Sequence, residues 1–415
     1  MPKSSTLLLF LTAAIPIQLG KFFFLSHSYV LGIPVDYRAV SLYLSDLIVA
    51  AYLAIFLAEN RKSFKKIYVE NKKYLFAALA LNVYLAVQTA FFSVSKESSF
   101  FFNFKIFMFS LLPLIVCQSL QDKQTAKKAI VVLQISLLWQ SCLIILQFLN
   151  QGALGLWILG ERTFDTTTAQ IAHTNFLGWQ LLRPYGSFPH PNVAAAYMVF
   201  SLIMLLGNNR YLLLARRSSL KEVGILLTPI ALILTFSKSA LFVLTIAVLS
   251  AAQNIRRFFI YIIPGAILGV FVLVQLGSQV ASVSERLLLI ESALDISTKN
   301  PLFGVGSNNF ILELAKLDLT SLAQTRLLQP VHNVFMLILA ENGIVGLLLF
   351  ALLLLTIARA VQGKIKALLF IALLFYLSVD HFLWTLQQGQ LIFWLAIAYI
   401  LTSKQSFSSN NNRAI

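Results

Sequence analysis

The chain has 415 residues, 58% of them hydrophobic and only 12% charged, with a net charge of +16 at pH 7. A soluble protein of this length would divide into two or three domains with polar surfaces. There is too little polar side chain to cover such surfaces, which excludes a soluble enzyme, a disordered chain and a coiled coil and leaves a polytopic membrane protein.

In chain order, apolar runs of about 20 residues predict twelve helical spans. They lie near residues 6–25, 39–58, 74–93, 100–120, 129–149, 192–207, 222–237, 239–253, 258–278, 335–359, 367–385 and 390–403. Lys3 and the apolar run after it resemble a signal peptide, but no small-residue cleavage site follows, so the run reads as a retained first helix. The apolar stretch 222–253 is interrupted only at Ser237-Lys238-Ser239. Two spans are predicted there, because a lysine is costly in the middle of hydrocarbon. The fold class expected is therefore an all-α transmembrane bundle with two long extracytoplasmic loops, the second partly helical.

Lys and Arg placement gives the orientation. Segments 59–73, 121–128 and 208–221 are basic, as are Arg256, Arg257, Arg359, Lys364 and Lys366. These alternate with the spans and predict both termini on the cytoplasmic side of the plasma (inner) membrane. The layout is then N-terminal helices over 1–149, a first external loop over 150–191 and central helices over 192–278. A second external loop follows over 279–334, then C-terminal helices and a short tail over 335–415. The positive charge fits membrane lipids rather than nucleic acid.

All five histidines, His27, His173, His190, His332 and His381, fall on the predicted outer side. Chance explains that, or a cavity that uses a group titrating near neutral pH. Cys117 and Cys142 lie in apolar runs, and no metal-binding spacing is present, so neither a metal nor a cofactor is expected. Arg183, Lys238, Arg286 and Arg326 sit outside against the usual bias. Arg183 opens Arg183-Pro184-Tyr185-Gly186-Ser187-Phe188-Pro189-His190-Pro191-Asn192, where three prolines and a glycine in ten residues forbid a helix interior. The segment is either a rigid surface loop or a backbone shaped around an anion held by Arg183. Arg286, in Ser284-Glu285-Arg286, reads as a snorkelling arginine or as part of a short helix on the membrane. Asn300-Pro301-Leu302-Phe303-Gly304-Val305-Gly306 predicts a tight turn whose glycines allow a close approach to a ligand. His332-Asn333 opens a span interrupted at Glu341-Asn342-Gly343. His332 is either a capping residue or a functional one, and Glu341 either pairs with a loop arginine or takes part in chemistry. Structural pairing is expected for most of Asp46, Lys105 and Asp380.

Taken together, four blocks resemble the O-antigen ligase and O-antigen polymerase superfamily. They are Arg183–Asn192, then Thr235-Phe236-Ser237-Lys238-Ser239-Ala240, then Ser284-Glu285-Arg286 with Asn300–Gly306, then His332-Asn333 with Glu341-Asn342-Gly343-Ile344-Val345-Gly346. Their order and spacing cover about residues 180–360. One departure stands out, since the family carries Ser-Arg where this chain has Ser237-Lys238. Lysine keeps the charge but loses the planar fork that grips phosphate oxygens in pairs.

The resemblance implies an outward-facing glycan transferase of lipopolysaccharide or other envelope polysaccharide biosynthesis. Its donor would be a glycan on a polyprenyl diphosphate, and its acceptor a hydroxyl on a lipid-linked sugar or on the growing glycan. Transfer would need no metal and no nucleotide and would invert the anomeric centre. His332 would be the base, and Arg286 with Lys238 or Arg183 would hold the diphosphate. His190, Asn192 and Asn333 would position substrate. Partners would include a chain-length regulator or other envelope-assembly proteins. The alternatives are a small-anion, bicarbonate-type transporter and an envelope-assembly scaffold.

Overall fold

A computed structural model describes residues 2–61, 64–176, 178–206, 219–251, 280–317 and 328–402. The predicted span near 258–278, with Arg256, Arg257 and Arg326, lies outside the described residues.

The protein is mostly helical. Helices α1 (Lys3–Ala14), α2 (Leu44–Glu59) and α3 (Phe64–Phe91) are followed by the pair α4 (Lys96–Ser110) and α5 (Leu112–Ser119). Next come α6 (Lys123–Asn150), α7 (Pro191–Leu206), α8 (Ser219–Leu234) and α9 (Lys238–Ala251). The chain continues through α10 (Val280–Lys299), α11 (Phe310–Leu314), α12 (Val334–Ala360), α13 (Lys364–Val379), α14 (Phe382–Thr385) and α15 (Gln387–Leu401). Among the described residues four helical stretches are long and apolar enough to cross a membrane: Ile67–Phe91, Lys96–Ser119, Lys123–Asn150 and Val334–Ala360. The other apolar helices are shorter.

Several elements differ from the sequence expectation. The first predicted span stops at Ala14, just before Pro16, which has no N–H to continue the helix's hydrogen bonds. Residues beyond it form β1 (Gly20–Phe23), which pairs antiparallel with β4 (Val40–Tyr43). Between them β2 (Tyr29–Val30) pairs with β3 (Ile33–Pro34). The bundle is thus not purely helical, and a third small sheet, β5 (His173–Phe176) with β6 (Trp179–Leu182), lies in the loop after α6. The stretch 222–253 does break in two, at Thr235–Ser237, where Phe236 takes φ +53°. Lys238 therefore opens α9 instead of lying in a turn. The span predicted to run to 385 ends at Val379, and Asp380 leaves the helix with extended backbone.

Helix α7 is buried on nearly every side, with Ala194, Ala195 and Ala196 fully enclosed. A helix apolar all round belongs at the centre of a bundle, and α7 packs against α9, α13 and α15. Around it α6 packs on α8, α3 on α12 and α5 on α15. The small sheets and the four blocks meet at one end of the bundle: Leu44 N bonds Leu19 O, Val94 N bonds Val305 O, and Ser187 Oγ bonds Pro16 O.

At that end the glycines of the third and fourth blocks face each other. Gly304 (φ +67°) packs against the Glu341 backbone, and Gly343 (φ +63°) against the carbonyl of Leu302. Gly306 N donates to Glu341 O at 2.7 Å and Ile344 N to Pro301 O at 2.9 Å. Gln88 Nε2 donates to both Phe303 O and Glu341 O. The close approach these glycines permit is between two protein backbones, not between backbone and ligand. The Glu341 carboxylate accepts Phe310 N at 3.1 Å and lies in the field of Arg38. Its place is in this junction. We expect Gly343→Ala to lower the thermal unfolding temperature of detergent-solubilised protein clearly. With φ +63° and ψ −172° Gly343 lies in a region that only glycine enters readily, which costs about 1–3 kcal/mol for a residue with a Cβ, and that Cβ would overlap Leu302 O.

Asp46 and Lys105 pair structurally, as expected. They form a buried ion pair at 3.1 Å, and Gln387 Nε2 donates to Asp46 Oδ1 at 2.6 Å. The pair ties α2 and α4 to the start of α15. Asp380 is different.

Candidate functional site

Asp380 sits at the break between α13 and α14 and is buried. Its two oxygens face different partners. Oδ1 accepts the backbone N–H of His381 at 2.8 Å and lies 3.3 Å from His332 Nδ1. Oδ2 accepts Asn192 Nδ2 at 3.3 Å. Asn192 in turn offers its Oδ1 to Arg183 Nη2 at 2.7 Å. The result is a continuous relay, Arg183–Asn192–Asp380–His332, drawn from three separate stretches of chain.

The chemistry of each link sets the next. A carboxylate only accepts, so the His332 nitrogen facing Asp380 carries the proton. In neutral His332 that leaves Nε2 with its lone pair free to take one. Asn192 has a single amide orientation that satisfies both a guanidinium and a carboxylate. Asn333 caps α12 by accepting Met336 N at 3.0 Å, and its Nδ2 donates to Ser378 O at 3.0 Å. Both ends of its amide are thus used in seating His332 at the start of α12.

The cations surround this relay. Arg183 Nε donates to Thr235 O at 2.9 Å, so the first block caps the end of α8. Burial draws the guanidinium down to about 10, which still leaves it charged at neutral pH. Arg286 Nη1 donates at 3.2 Å to Val379 O, the last carbonyl of α13. Lys238 opens α9 within electrostatic reach of both Arg183 and Arg286. Helices α7, α9 and α12 all begin here, and their N-terminal dipoles add to the positive field. Burial, and next the charge of Arg183, push His190 down to about 3, so it is neutral; its Nδ1 accepts Asn192 N at 3.1 Å. Arg162, from the loop after α6, donates to Pro189 O at 3.1 Å on the rim.

Of the seven residues named from the sequence, Asn192 and His332 bond the Asp380 carboxylate and Arg183 and His190 lie in its field, Arg286 and Asn333 bond the carbonyls just before it, and Lys238 is joined to the group only through the charges of Arg183 and Arg286. Sequence reasoning missed the carboxylate itself. An ionisable residue inside an apolar run is a functional candidate by default, and His381 beside it was a second signal. The His381 ring lies 5.0 Å from that of His332, and its Nδ1 pairs with Thr385 Oγ1 at 2.6 Å.

His332, Asp380 and His381 also bring one potential metal-ligand atom each within 4.8 Å of the others, a group among the described residues that could hold a metal ion. Sequence spacing hid this set, since His332 and Asp380 are 48 positions apart. Several of these atoms are already engaged, His381 Nδ1 with Thr385 Oγ1 among them. Asp380 Oδ1 faces two N–H groups, and Arg183 and Arg286 supply positive charge beside it. The set suits handling a proton and binding an anion better than binding a cation.

Comparison with known proteins adds one match. The family model described as O-antigen ligase matches residues 223–351, which include the second, third and fourth blocks. The first block lies outside the matched residues and is joined to them through Arg183 and Thr235. No curated protein matches the chain. Over residues 223–351 the chain is thus similar to the family described as O-antigen ligase.

Proposed function

We propose that this protein transfers an oligo- or polysaccharide from a polyprenyl diphosphate to an acceptor hydroxyl on the outer face of the plasma membrane. The observation that carries the reading is the Arg183–Asn192–Asp380–His332 relay with Arg286 and Lys238 around it. A base with a fixed tautomer stands beside a cluster of fixed cations, which is what such a transfer needs.

His332 Nε2 takes the proton of the acceptor hydroxyl as its oxygen attacks the anomeric carbon. The new C–O bond forms on the face opposite the breaking bond to the diphosphate, so the centre inverts. The electron pair of the broken bond leaves on the polyprenyl diphosphate. Arg183, Arg286 and Lys238 stabilise the charge that develops there, and preorganised donors in a site shielded from water do this without rearranging. Asp380 keeps His332 oriented and stabilises the imidazolium that forms. His190, held neutral, and Asn192 position the Arg183 side. The leaving diphosphate already activates the sugar, so no nucleotide is used. The N- and C-termini lie on the cytoplasmic side, as the Lys and Arg distribution favours.

The test is to delete the gene and to analyse both surface glycan and carrier-linked intermediates. Long glycan accumulating on the polyprenyl carrier identifies a ligase, and single repeat units accumulating identify a polymerase. Unchanged glycan and carrier pools, in a cell with no second copy, would overturn the transferase reading.

A further inference from the structure

The segment 15–43 carries none of the four blocks, and its sequence points to no role beyond a connection between spans. In the structure it folds over the site. Its turn at Asp36–Arg38 is fixed by Arg38, which is 2% exposed. Arg38 Nε donates to His27 O at 2.9 Å. Its Nη1 donates to Asn308 O at 2.6 Å and to Asn309 Oδ1 at 3.1 Å. The last two belong to the loop that docks on α12. Burying a guanidinium is costly unless its donors are matched, and here they pin the turn to the rigid junction that also carries His332.

One residue earlier, Tyr37 lies edge-on to the His381 ring, with centroids 5.5 Å apart and planes at 80°. Its ring is half-buried. Its hydroxyl feels the charges of Asp380 and Arg162 and makes no hydrogen bond among the described residues. A tyrosine presents an apolar ring and a polar tip, and here the tip keeps its hydrogen-bonding capacity for a partner. The contacts run in order: Arg183, Asn192, Asp380, the His332–His381 pair, Tyr37. Arg183 ends this series of contacts on the side of the anionic leaving group, and Tyr37 ends it at the His381 ring. A neutral phenol suits a neutral, hydroxyl-bearing sugar there, not a diphosphate.

We infer that Tyr37, carried by the first external segment, forms part of the binding subsite for the acceptor sugar, donating to or accepting from one of its hydroxyls. The inference rests on the transferase reading. Its test uses full-length protein in lipid nanodiscs, with carrier-linked glycan and acceptor glycolipid extracted from cells lacking the gene. Tyr37→Phe keeps the ring against His381 and removes only the hydroxyl. It should raise KM for the acceptor about tenfold, the size of one hydrogen bond, and leave kcat within about twofold. KM for the donor should move far less. Tyr37→Ala should raise the acceptor KM further. An active wild-type protein whose acceptor KM is unchanged in Tyr37→Phe overturns the subsite, and so does an equal rise in both KM values. A wild-type protein that moves no glycan overturns the transferase reading and the subsite with it.

Discussion

Asp380→Asn is expected to lower glycan transfer about 10³-fold while the protein still inserts and folds. The size follows from what an amide cannot do at this position. One end of the carboxylate faces two N–H groups, from His332 and from the His381 backbone, and the other end faces the amide nitrogen of Asn192. An asparagine offers one acceptor end and one donor end. If its oxygen faces the histidines, its nitrogen meets the Asn192 nitrogen, and donor opposes donor. If Asn192 turns over to relieve this, it presents its nitrogen to Arg183. If the asparagine turns instead, its N–H faces His332, which then holds its proton on Nε2 and has no lone pair for the acceptor. Each arrangement breaks one link of the relay. Initial rates of transfer in membranes with matched protein levels check this. A well-expressed Asp380→Asn protein with more than about a tenth of wild-type rate would remove Asp380 from the mechanism.

His332→Ala is expected to cost about 10²–10⁴-fold, the range for loss of a general base. The side chain is only partly buried, and Asn333 continues to cap α12, so the fold is retained. The two substitutions act on one proton transfer. Their combination should therefore be no worse than His332→Ala alone, since residues that work as a unit lose function once. Multiplicative losses in the double variant would show that Asp380 acts through something other than His332. Full transfer by His332→Ala would place the base elsewhere, with His381 the next residue to replace.

Much of the site was legible in the sequence, because its signals are local. Prolines and a glycine crowded between Arg183 and Asn192 cannot be helix, and a lysine splitting an apolar run of 222–253 marks a broken span. Asn333 before an apolar run marks a helix start. The glycines of the third and fourth blocks were visible too, but their meaning was not. Those of the third block read as ligand-facing, whereas Gly304 packs against the Glu341 backbone and Gly343 of the fourth block against that of Leu302. A glycine announces a close approach without saying to what.

The first 43 residues show the limit most clearly. An apolar run with aromatic residues at 22–24 suits a span or a strand equally over so short a length. Pro16 and pairing with Val40–Tyr43 decided for strand. Tyr37 and Arg38 then gained their places from contacts far along the chain, Arg38 with Asn309 271 positions away.

By itself the sequence determined that this is a helical membrane protein and which cations and histidines stand apart from the apolar bulk. Hydropathy, charge bias and helix-breaking residues are properties of short windows, and a window suffices to read them. Only the tertiary structure decided that Asp380 is the hub, that Asn192 links it to Arg183, and that Tyr37 lies against His381. Asn192 and Asp380 are 188 positions apart. Their meeting depends on how α7 and α13 pack, and the geometry of packed helices is fixed by the whole bundle rather than by any one segment of it.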